Sequence, residues 1–435
     1  MKMGIHRKNN KVSGIFLMKD FEKLKNKTLY NYVDKSNKDF MEKINNDYNF
    51  SFQEFKFLCD YAIDLRMWQE KSFKEYWINL EQEVLLKDKR ERKKKIFNLF
   101  RDKIEELKKE EKFYSNIIEN AVKPSQKRTV KIIEQDLNKN IFGLCPVASS
   151  KTMCCKLYTL DVVEGCSFSC SYCVIDTFYD KDILFNKNIH NKLKQIKLDK
   201  NKFYHIGTGQ SSDALAWGNR EGILDELCLF AKENSNILLE LKTKSDNVTY
   251  FLEKDIPDNV VRSWTLNTDT IINNEEHFTA SLKQRIEAAK KIRDCNIKVG
   301  FHFHPMVYYK NWEQEYTNIA EELQKVFLPE QISFISFGSV TFIKPAIKNI
   351  RKRGYTSKIL QMQMIPDPHG RLTYSDDIKT IQFKAMYQAF KAWHDKVYFY
   401  LCMEKSSIWD SVFGRHYNNN EEFEQDYGKK TLGFE

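Results

Sequence analysis

The chain has 435 residues, of which 42% are hydrophobic and 14% aromatic. That apolar content can form a substantial core, which excludes a fully disordered chain. The formal net charge of +10 favours an anionic partner such as nucleic acid, although a lysine-rich composition is also typical of AT-rich genomes.

The first residues and the cysteines indicate the compartment. The opening MKMGIHRKNNKVSG has no apolar signal segment, and no apolar run is long enough to span a bilayer. We therefore expect a cytoplasmic protein without a membrane partner. Thiols stay reduced in the cytoplasm, so the ten cysteines indicate metal binding or catalysis rather than disulfides.

Residues 1–135 are predicted to form a helical, lysine-rich region, in which Phe97 and Phe100 fall at helical spacing. Just before them, residues 87–95 read KDKRERKKK, without one apolar side chain. This stretch is either the solvated part of a surface helix, which we favour, or a patch that contacts phosphates. Pro124 marks a candidate boundary because proline ends a helical pattern.

Short β-rich runs alternate with helical runs after about residue 155. The predicted strands span residues 156–163, 202–207, 236–243, 260–267, 297–304 and 332–338. The helical patterns between them span residues 186–198, 220–233, 246–254, 277–294 and 312–327. Such alternation indicates a parallel sheet with crossover helices, and six units suggest an incomplete barrel rather than the closed eight-unit form.

The predicted fold is therefore α/β, built on a partial (β/α)6 barrel. A helical N-terminal extension spans residues 1–135, the barrel spans 136–340, and a C-terminal α/β segment, 341–435, completes the barrel on its substrate side.

Period-two patterns predict that each strand has a polar face. Phe301 and Phe303 alternate with His302 and His304, and the runs LLELKTK and RSWTLN alternate in the same way. A parallel strand buried only by core is usually apolar on both faces. We therefore expect the barrel interior to hold something polar.

The first predicted strand leads directly into the loop GCSFSCSYC, in which Cys166, Cys170 and Cys173 form a C-x-x-x-C-x-x-C pattern. The carboxyl ends of barrel strands are where ligands bind. Zinc takes four protein ligands, or three and a water, and Cys154 and Cys155 are near in sequence. A [4Fe–4S] cluster can instead be held by three thiolates, which leaves one iron open. By default, Cys154 and Cys155 are interpreted as buried small side chains.

This cysteine loop, after the first strand of a six-fold βα barrel, resembles that of the radical S-adenosylmethionine (SAM) superfamily, and Tyr172 before the third cysteine fits the same pattern. The resemblance implies that Cys166, Cys170 and Cys173 hold a [4Fe–4S] cluster whose fourth iron is chelated by SAM. It further implies that an electron donor such as flavodoxin or ferredoxin drives cleavage of SAM to a 5′-deoxyadenosyl radical, which abstracts hydrogen from the substrate.

A narrower resemblance, over about residues 155–415, is to the spore photoproduct lyase family, which reverses a thymine–thymine lesion in DNA. The similar stretches are SSDAL (211–215), TKSDNV (243–248), RSWTLNTD (262–269), TASLKQRIEAAKKIRD (279–294) and VGFHFHPMVYYKNWEQEY (299–316).

The resemblance implies a set of SAM-binding residues. Lys244 takes the position of the lysine that binds the SAM carboxylate. Superfamily members wrap the SAM amino group with a turn after the second strand, here formed by Gly207, Gly209 and Gln210, and glycine permits close backbone approach. The other SAM-binding candidates are Ser212, Asp213, Thr265, Asn267 and His304.

Three residues are candidates for catalysis, namely Tyr172, His302 and His304. The two histidines could face the substrate or transfer protons, and a purely structural role is the alternative for both.

Two departures separate this chain from the lyase pattern. Gln210 stands where the lyases have a cysteine that donates a hydrogen atom to the product radical, and Val174 stands where they have a tyrosine. The resemblance therefore extends to the radical-generating machinery but not to the lesion-specific chemistry.

The predicted function is a radical SAM enzyme acting on DNA or RNA, for repair or modification. One alternative is a radical SAM enzyme acting on a peptide or small metabolite, and another is a non-catalytic nucleic-acid-binding protein with a structural Fe–S or zinc site. Arg351, Lys352 and Arg353, in the basic run 348–358, are predicted to suit phosphates, with a solvated surface as the alternative.

Overall fold

The structure is a computed structural model that describes residues 21–114, 121–125, 128–145, 148, 150–179 and 182–434, without the side chains of residues 176 and 177. Its α-helices are α1 (Lys35–Tyr48), α2 (Phe52–Trp68), α3 (Phe73–Glu83), α4 (Lys89–Lys109), α5 (Ile175–Phe178), α6 (Ile189–Gln195), α7 (Ile223–Glu233), α8 (Thr249–Glu253), α9 (Asp269–Glu275), α10 (Leu282–Asp294), α11 (Trp312–Val326), α12 (Lys344–Arg353), α13 (Asp376–Ala389), α14 (Ser406–Phe413) and α15 (Asn420–Leu432). Its β-strands are β1 (Val130–Ile133), β2 (Phe142–Leu144), β3 (Tyr158–Leu160), β4 (Val163–Glu164), β5 (Ser169–Cys170), β6 (Ile183–Asn186), β7 (Tyr204–Gly207), β8 (Ile237–Thr243), β9 (Val260–Thr265), β10 (Glu276–His277), β11 (Val299–Met306), β12 (Ile332–Ser339), β13 (Thr341–Phe342), β14 (Ile365–Pro366), β15 (Leu372–Thr373) and β16 (Phe399–Leu401).

The chain divides into two compact units. The first comprises the described residues of Met1–Glu110, Ile118–Lys123 and Ile347–Gln363. The second comprises those of Glu111–Ile117, Pro124–Ala346 and Met364–Glu435.

Helices α1–α4 build the first unit around an aromatic core. Ser51 and Ser72 cap the N-termini of α2 and α3, where each side chain accepts a hydrogen bond from a backbone N–H of the first turn. Phe100 of α4 is fully buried, and its ring centroid lies 5.4 Å from that of Phe73 and 6.3 Å from that of Trp77. The helical spacing of these aromatic residues thus brings them to one core.

Two sequence-based predictions are wrong: the helix over residues 130–133 and the phosphate contact of Arg351. Val130–Ile133 form strand β1 instead of a helix, because this β-branched segment pairs in parallel with β6. Arg351 is not open to phosphate, because its guanidinium donates to both carboxylate oxygens of Asp64, at 2.6 and 2.8 Å, and lies 3.1 Å from Asp60. A buried carboxylate such as Asp64 requires a partner of this kind.

An eight-stranded sheet dominates the second unit and curls into a half-barrel, with the order β16-β12-β11-β9-β8-β7-β3-β2. The six strands from β3 to β12 in this order run parallel, and they correspond to the six predicted strands. Strand β16, in the C-terminal segment predicted to complete the barrel, pairs in parallel with β12. Strand β2, which was not predicted, adds an antiparallel strand beside β3. Among the described helices, none combines the length and apolar content needed to cross a bilayer.

The polar face of the strands is confirmed by contacts across the sheet. Glu240 of β8 accepts hydrogen bonds from His205 Nε2 on β7, at 2.7 Å, and from Ser263 Oγ on β9, at 2.5 Å. His302 of β11 contacts the same carboxylate. Helix α15 packs near these groups, since the Tyr427 ring lies 4.7 Å from the His205 ring.

Candidate functional site

The conformation of the cysteine loop depends on Gly165. This residue has φ +85°, and its N–H donates to Ser211 O at 3.0 Å. A Cβ at this position would lie 2.6 Å from Asp182 O, so a larger residue would displace the backbone. Glycine therefore allows the chain to turn sharply from β4 into Cys166.

The rest of the loop is held by strand β10. Cys170 pairs with Glu276 across the short antiparallel ladder between β5 and β10. Ser171 N–H donates to Glu275 O at 2.8 Å, and Cys173 N–H donates to Cys170 O at 3.1 Å. These backbone bonds fix two of the three cysteines relative to one another.

A small pocket, with a cavity volume of about 90 Å³, opens beside this loop. Its lining residues are Cys166, Phe168, Cys170, Tyr172, Cys173, Ile175, Gly209, Ser212, Asp213, Lys242, Thr243, Lys244 and Thr265. These residues follow or end strands β4, β7, β8 and β9, so the pocket lies at the carboxyl edge of the parallel strands.

The pocket brings together most of the residues singled out in the sequence. The lining contains all three cysteines of the loop, with Tyr172, Gly209, Ser212, Asp213, Lys244 and Thr265. The candidates that are not part of this lining are Gly207, Gln210, Asn267, His302 and His304.

Asp213 joins two loops of the pocket. Its carboxylate accepts hydrogen bonds from Thr243 Oγ1 and from the Lys244 N–H, both at 2.7 Å, and from the Ala216 N–H at 2.9 Å. Burial raises the pKa of Asp213, and these hydrogen bonds offset only part of the rise. With its oxygens occupied by protein donors, Asp213 positions the backbone of Lys244.

Glu276 is the centre of a buried polar cluster behind the loop. It accepts hydrogen bonds from the Tyr172 hydroxyl, from Arg285 Nη2 at 2.6 Å and from Asn267 Nδ2 at 3.2 Å. Burial raises the pKa of Glu276, but Arg285 and Lys244 outweigh it and leave the pKa below its usual value. The carboxylate therefore stays ionised and orients Tyr172.

Lys244 lies between this cluster and the cysteines. Its Nζ is 5.8 Å from the centroid of the Tyr172 ring. Burial lowers the pKa of Lys244, but the adjacent Glu276 and Cys170 raise it, and the net shift is upward. The side chain is thus a permanent cation at the pocket wall.

A chain of hydrogen bonds runs from the pocket along the polar face of the sheet. Lys242 Nζ lies 3.4 Å from His304 Nδ1, and His304 Nε2 lies 3.1 Å from Ser336 Oγ. Ser336 Oγ lies 2.5 Å from His302 Nδ1, and His302 Nε2 contacts Glu240. Burial and Lys242 lower the pKa of His302 to about 4, so this imidazole is neutral at pH 7. Each residue can thus donate to the next, from the ammonium to the carboxylate.

Sequence reasoning missed Glu276, Arg285, Glu240 and Lys242 as parts of the site. The period-two pattern already placed Glu240 and Lys242 on the polar face, which was the available signal. For Arg285, the signal was a charged residue beside Leu282 and Ile286 on the buried side of α10.

The three thiols of the loop are the candidate metal or cluster ligands at this pocket. Burial above all, with Asp213 and Cys173 nearby, raises the pKa of Cys166 to about 12, so the free thiol is protonated and a bound metal would displace the proton. In the described part of the chain, no three His, Cys, Asp or Glu side chains are close enough together to hold a metal ion. Cys166, Cys170 and Cys173 share the lining of one pocket with the Lys244 cation, which are the groups that a cluster of three thiolates with an anionic fourth ligand would require.

The structure is thus a half-barrel α/β protein with a pocket lined by three thiols. A model of the spore photoproduct lyase family matches residues 90–372, well over half of the chain. The chain belongs to the spore photoproduct lyase family.

Curated relatives in this family are distant. The spore photoproduct lyase of Clostridium acetobutylicum is 26% identical over 183 residues, which cover 41% of this chain and 54% of the relative. That of Bacillus subtilis (strain 168) is 25% identical over 211 residues, which cover 46% of this chain and 61% of the relative. The chain therefore spans little more than half the length of the relatives it matches.

Solved spore photoproduct lyase structures share the fold. One, complexed with dinucleoside spore photoproduct, has a TM-score of 0.54 at 20% identity and covers 63% of this chain and 82% of its own. Another, a mutant with bound AdoMet and dinucleoside spore photoproduct, has a TM-score of 0.52 at 19% identity. The match covers 66% of this chain and 88% of the mutant chain. At these identities the likeness concerns the fold alone.

Proposed function

We propose that this protein is a radical SAM enzyme that acts on a nucleic-acid substrate. The observation that supports the proposal best is the single pocket lined by Cys166, Cys170, Cys173 and Lys244. When bound, a [4Fe–4S] cluster and SAM would supply the 5′-deoxyadenosyl radical that abstracts hydrogen from the substrate.

The residues of this chain have distinct roles in the proposal. The thiolates of Cys166, Cys170 and Cys173 would hold the cluster, and the Lys244 ammonium would bind the carboxylate of SAM. Asp213 holds the backbone N–H of Lys244, and the negative charge of Glu276 attracts the Lys244 ammonium. Membership in the family supports these assignments.

Gly209, Ser212 and Thr265 contribute the remaining wall around SAM. Gly209 lies against strand β8, since a Cβ there would be 3.1 Å from Lys242 Cβ. In the proposal, Gly207 and Gln210 shape the turn that contains Gly209. Asn267 and His304 support the SAM site from outside the pocket lining. Tyr172 and His302 remain candidates for catalysis.

The substrate proposal rests on the net charge of +10 and on the family, whose solved members include complexes with dinucleoside spore photoproduct. Gln210 and Val174 replace the cysteine and tyrosine of the lyase pattern. We therefore propose repair or modification of a nucleic acid by a reaction that differs from the lyase reaction in its hydrogen donor. A flavodoxin or ferredoxin would supply the electron in a cytoplasmic setting.

The test is an anaerobic SAM-cleavage assay on reconstituted, reduced protein, with 5′-deoxyadenosine measured by chromatography, with and without damaged duplex DNA. Wild-type protein should form 5′-deoxyadenosine, and Cys170→Ala should lose both the bound iron and the product. Cys295→Ala is the matched control, because Cys295 is exposed and lies outside the pocket. No product from cluster-loaded wild type, or one zinc per chain without sulfide, would refute the proposal.

A further inference from the structure

The start of helix α4 in the first unit forms a basic surface with an apolar edge. We call residues 85–95 the basic tip. Leu85 is 87% exposed and Leu86 is 44% exposed, while the preceding Val84 is only 6% exposed and fixes the loop to the unit. The two adjacent leucines give the charged helix a small apolar edge.

The basic tip has a large excess of positive charge. It contains seven cations and the two anions Asp88 and Glu91, which gives a net charge of +5. Asp88 is occupied as the N-cap of α4, since its Oδ1 accepts from the Arg90 and Glu91 N–H groups at 3.0 and 2.8 Å. The two carboxylates of the basic tip are therefore outnumbered by seven cations, and one of them is held at the helix end.

Only two of the seven cations are engaged with the unit itself. Arg92 donates to Glu81 O at 2.7 Å, and Lys93 forms an ion pair with Glu54 at 2.8 Å. The other five are exposed and form no ion pair with any described residue: Lys87, Lys89, Arg90, Lys94 and Lys95. By helical periodicity, Lys94 and Lys95 lie on the half of α4 away from the core.

We propose that the basic tip binds duplex nucleic acid outside the pocket, with its five free cations on phosphates and Leu85 and Leu86 against the groove. Cations that contact phosphates position a protein on a duplex, and inserted apolar side chains are known from groove-binding proteins. The inference rests on the proposed nucleic-acid substrate, and it adds a second contact surface to that substrate.

A membrane surface fits the same tip less well. A helix that lies on a bilayer needs a continuous free apolar face. In α4 the residues that could form one, Ile96, Phe100 and Ile104, are fully buried in the first unit. Two leucines alone cover too little area to replace that face.

The test measures binding of the full chain to a fluorescent DNA duplex of about 20 base pairs over a range of salt concentrations. The salt slope should fall by about 0.9 for each phosphate contact that is removed. The tip variant Lys89→Gln/Arg90→Gln/Lys94→Gln/Lys95→Gln should therefore reduce the slope by up to about 3.6 and weaken binding by about tenfold or more. Leu85→Ala/Leu86→Ala should weaken binding without changing the slope.

A matched control removes equal charge elsewhere in the first unit. Lys27, Lys35, Lys43 and Lys71 are exposed, and Lys27→Gln/Lys35→Gln/Lys43→Gln/Lys71→Gln should keep the wild-type slope. The charge-keeping variant Lys89→Arg/Lys94→Arg/Lys95→Arg should also keep the wild-type salt slope. Circular dichroism of the two glutamine variants should show unchanged helix content, because glutamine favours helices.

Three results would overturn the proposal. They are equal loss of slope in the tip and control variants, no loss in the tip variant, and wild-type binding to phosphatidylserine vesicles but not to the duplex. SAM cleavage without DNA should be the same in the tip variant and the wild type. A loss of DNA binding with intact SAM cleavage therefore separates this inference from the proposed function.

Discussion

At the scale of single residues, Glu404 is a buried carboxylate with one charged partner. It accepts a hydrogen bond from Lys379 Nζ at 2.6 Å, and both side chains are only 4% exposed. Burial raises the pKa of Glu404 to about 7, and Lys379 offsets only part of this rise. Near pH 6 the folded protein therefore holds a proton that the unfolded chain has released.

This difference gives a predicted pH dependence. As the pH rises from about 4.5 to about 7, Glu404 should lower the free energy of unfolding by up to about 1.4 kcal/mol per pH unit, because its pKa is raised in the folded state. Urea unfolding of the wild type and Glu404→Gln over this range measures the effect. Because protonated Glu404 resembles glutamine, the two proteins should be most alike at the acid end, and the wild type should lose stability relative to Glu404→Gln as the pH rises. A difference that does not change with pH would contradict the prediction.

At the scale of elements, one ion pair joins strand β10 to helix α10. Glu276 and Arg285 are both fully buried and lie 2.6 Å apart. Arg285 also donates to Thr265 O at 2.8 Å and to Ala280 O at 2.9 Å, so the pair holds the end of β9 as well. Because β10 also pairs with β5, this contact supports the cysteine loop.

Glu276→Gln should therefore cost about 3–5 kcal/mol of unfolding free energy, since it leaves the Arg285 charge buried without a counter-charge. Glu287→Gln makes the same chemical change on α10 at a surface pair with Lys290, and it should cost no more than about 1 kcal/mol. Urea unfolding measures both variants. Equal losses of unfolding free energy in the two variants would show that the buried pair is no more important for stability than the surface pair.

At the scale of the whole molecule, ligand binding should raise stability by mass action. If SAM binds the folded, cluster-loaded chain, SAM at about 100 times its Kd should add about 2.7 kcal/mol. Thermal unfolding with and without SAM measures this gain. Lys244→Ala should lose most of it at the same SAM concentration, whereas Lys298→Ala, which lies outside the pocket lining, should keep it. Equal gains in the two variants would remove Lys244 from the proposed site.

The order of strands and helices in the second unit could be predicted because it depends on local patterns. Residues alternate with period two in β8, β9 and β11, and the helices between them have apolar residues at helical spacing. Strand β2 could not be predicted because it has only three residues, which is too short for a pattern. Val130–Ile133 was assigned to a helix because its pairing with β6 is a contact between distant segments.

The sequence by itself determined the spacing of Cys166, Cys170 and Cys173, and it placed Lys244 two residues after Lys242 on the same strand face. Only the tertiary structure decided which partners these residues have. Tyr172 meets Glu276 across 104 residues of chain, and Arg351 meets Asp64 across 287. Such pairs follow from the order of packed elements, and no local periodicity encodes them. For that reason the spacing of the three cysteines could be predicted from the sequence, whereas the charged groups around them could not.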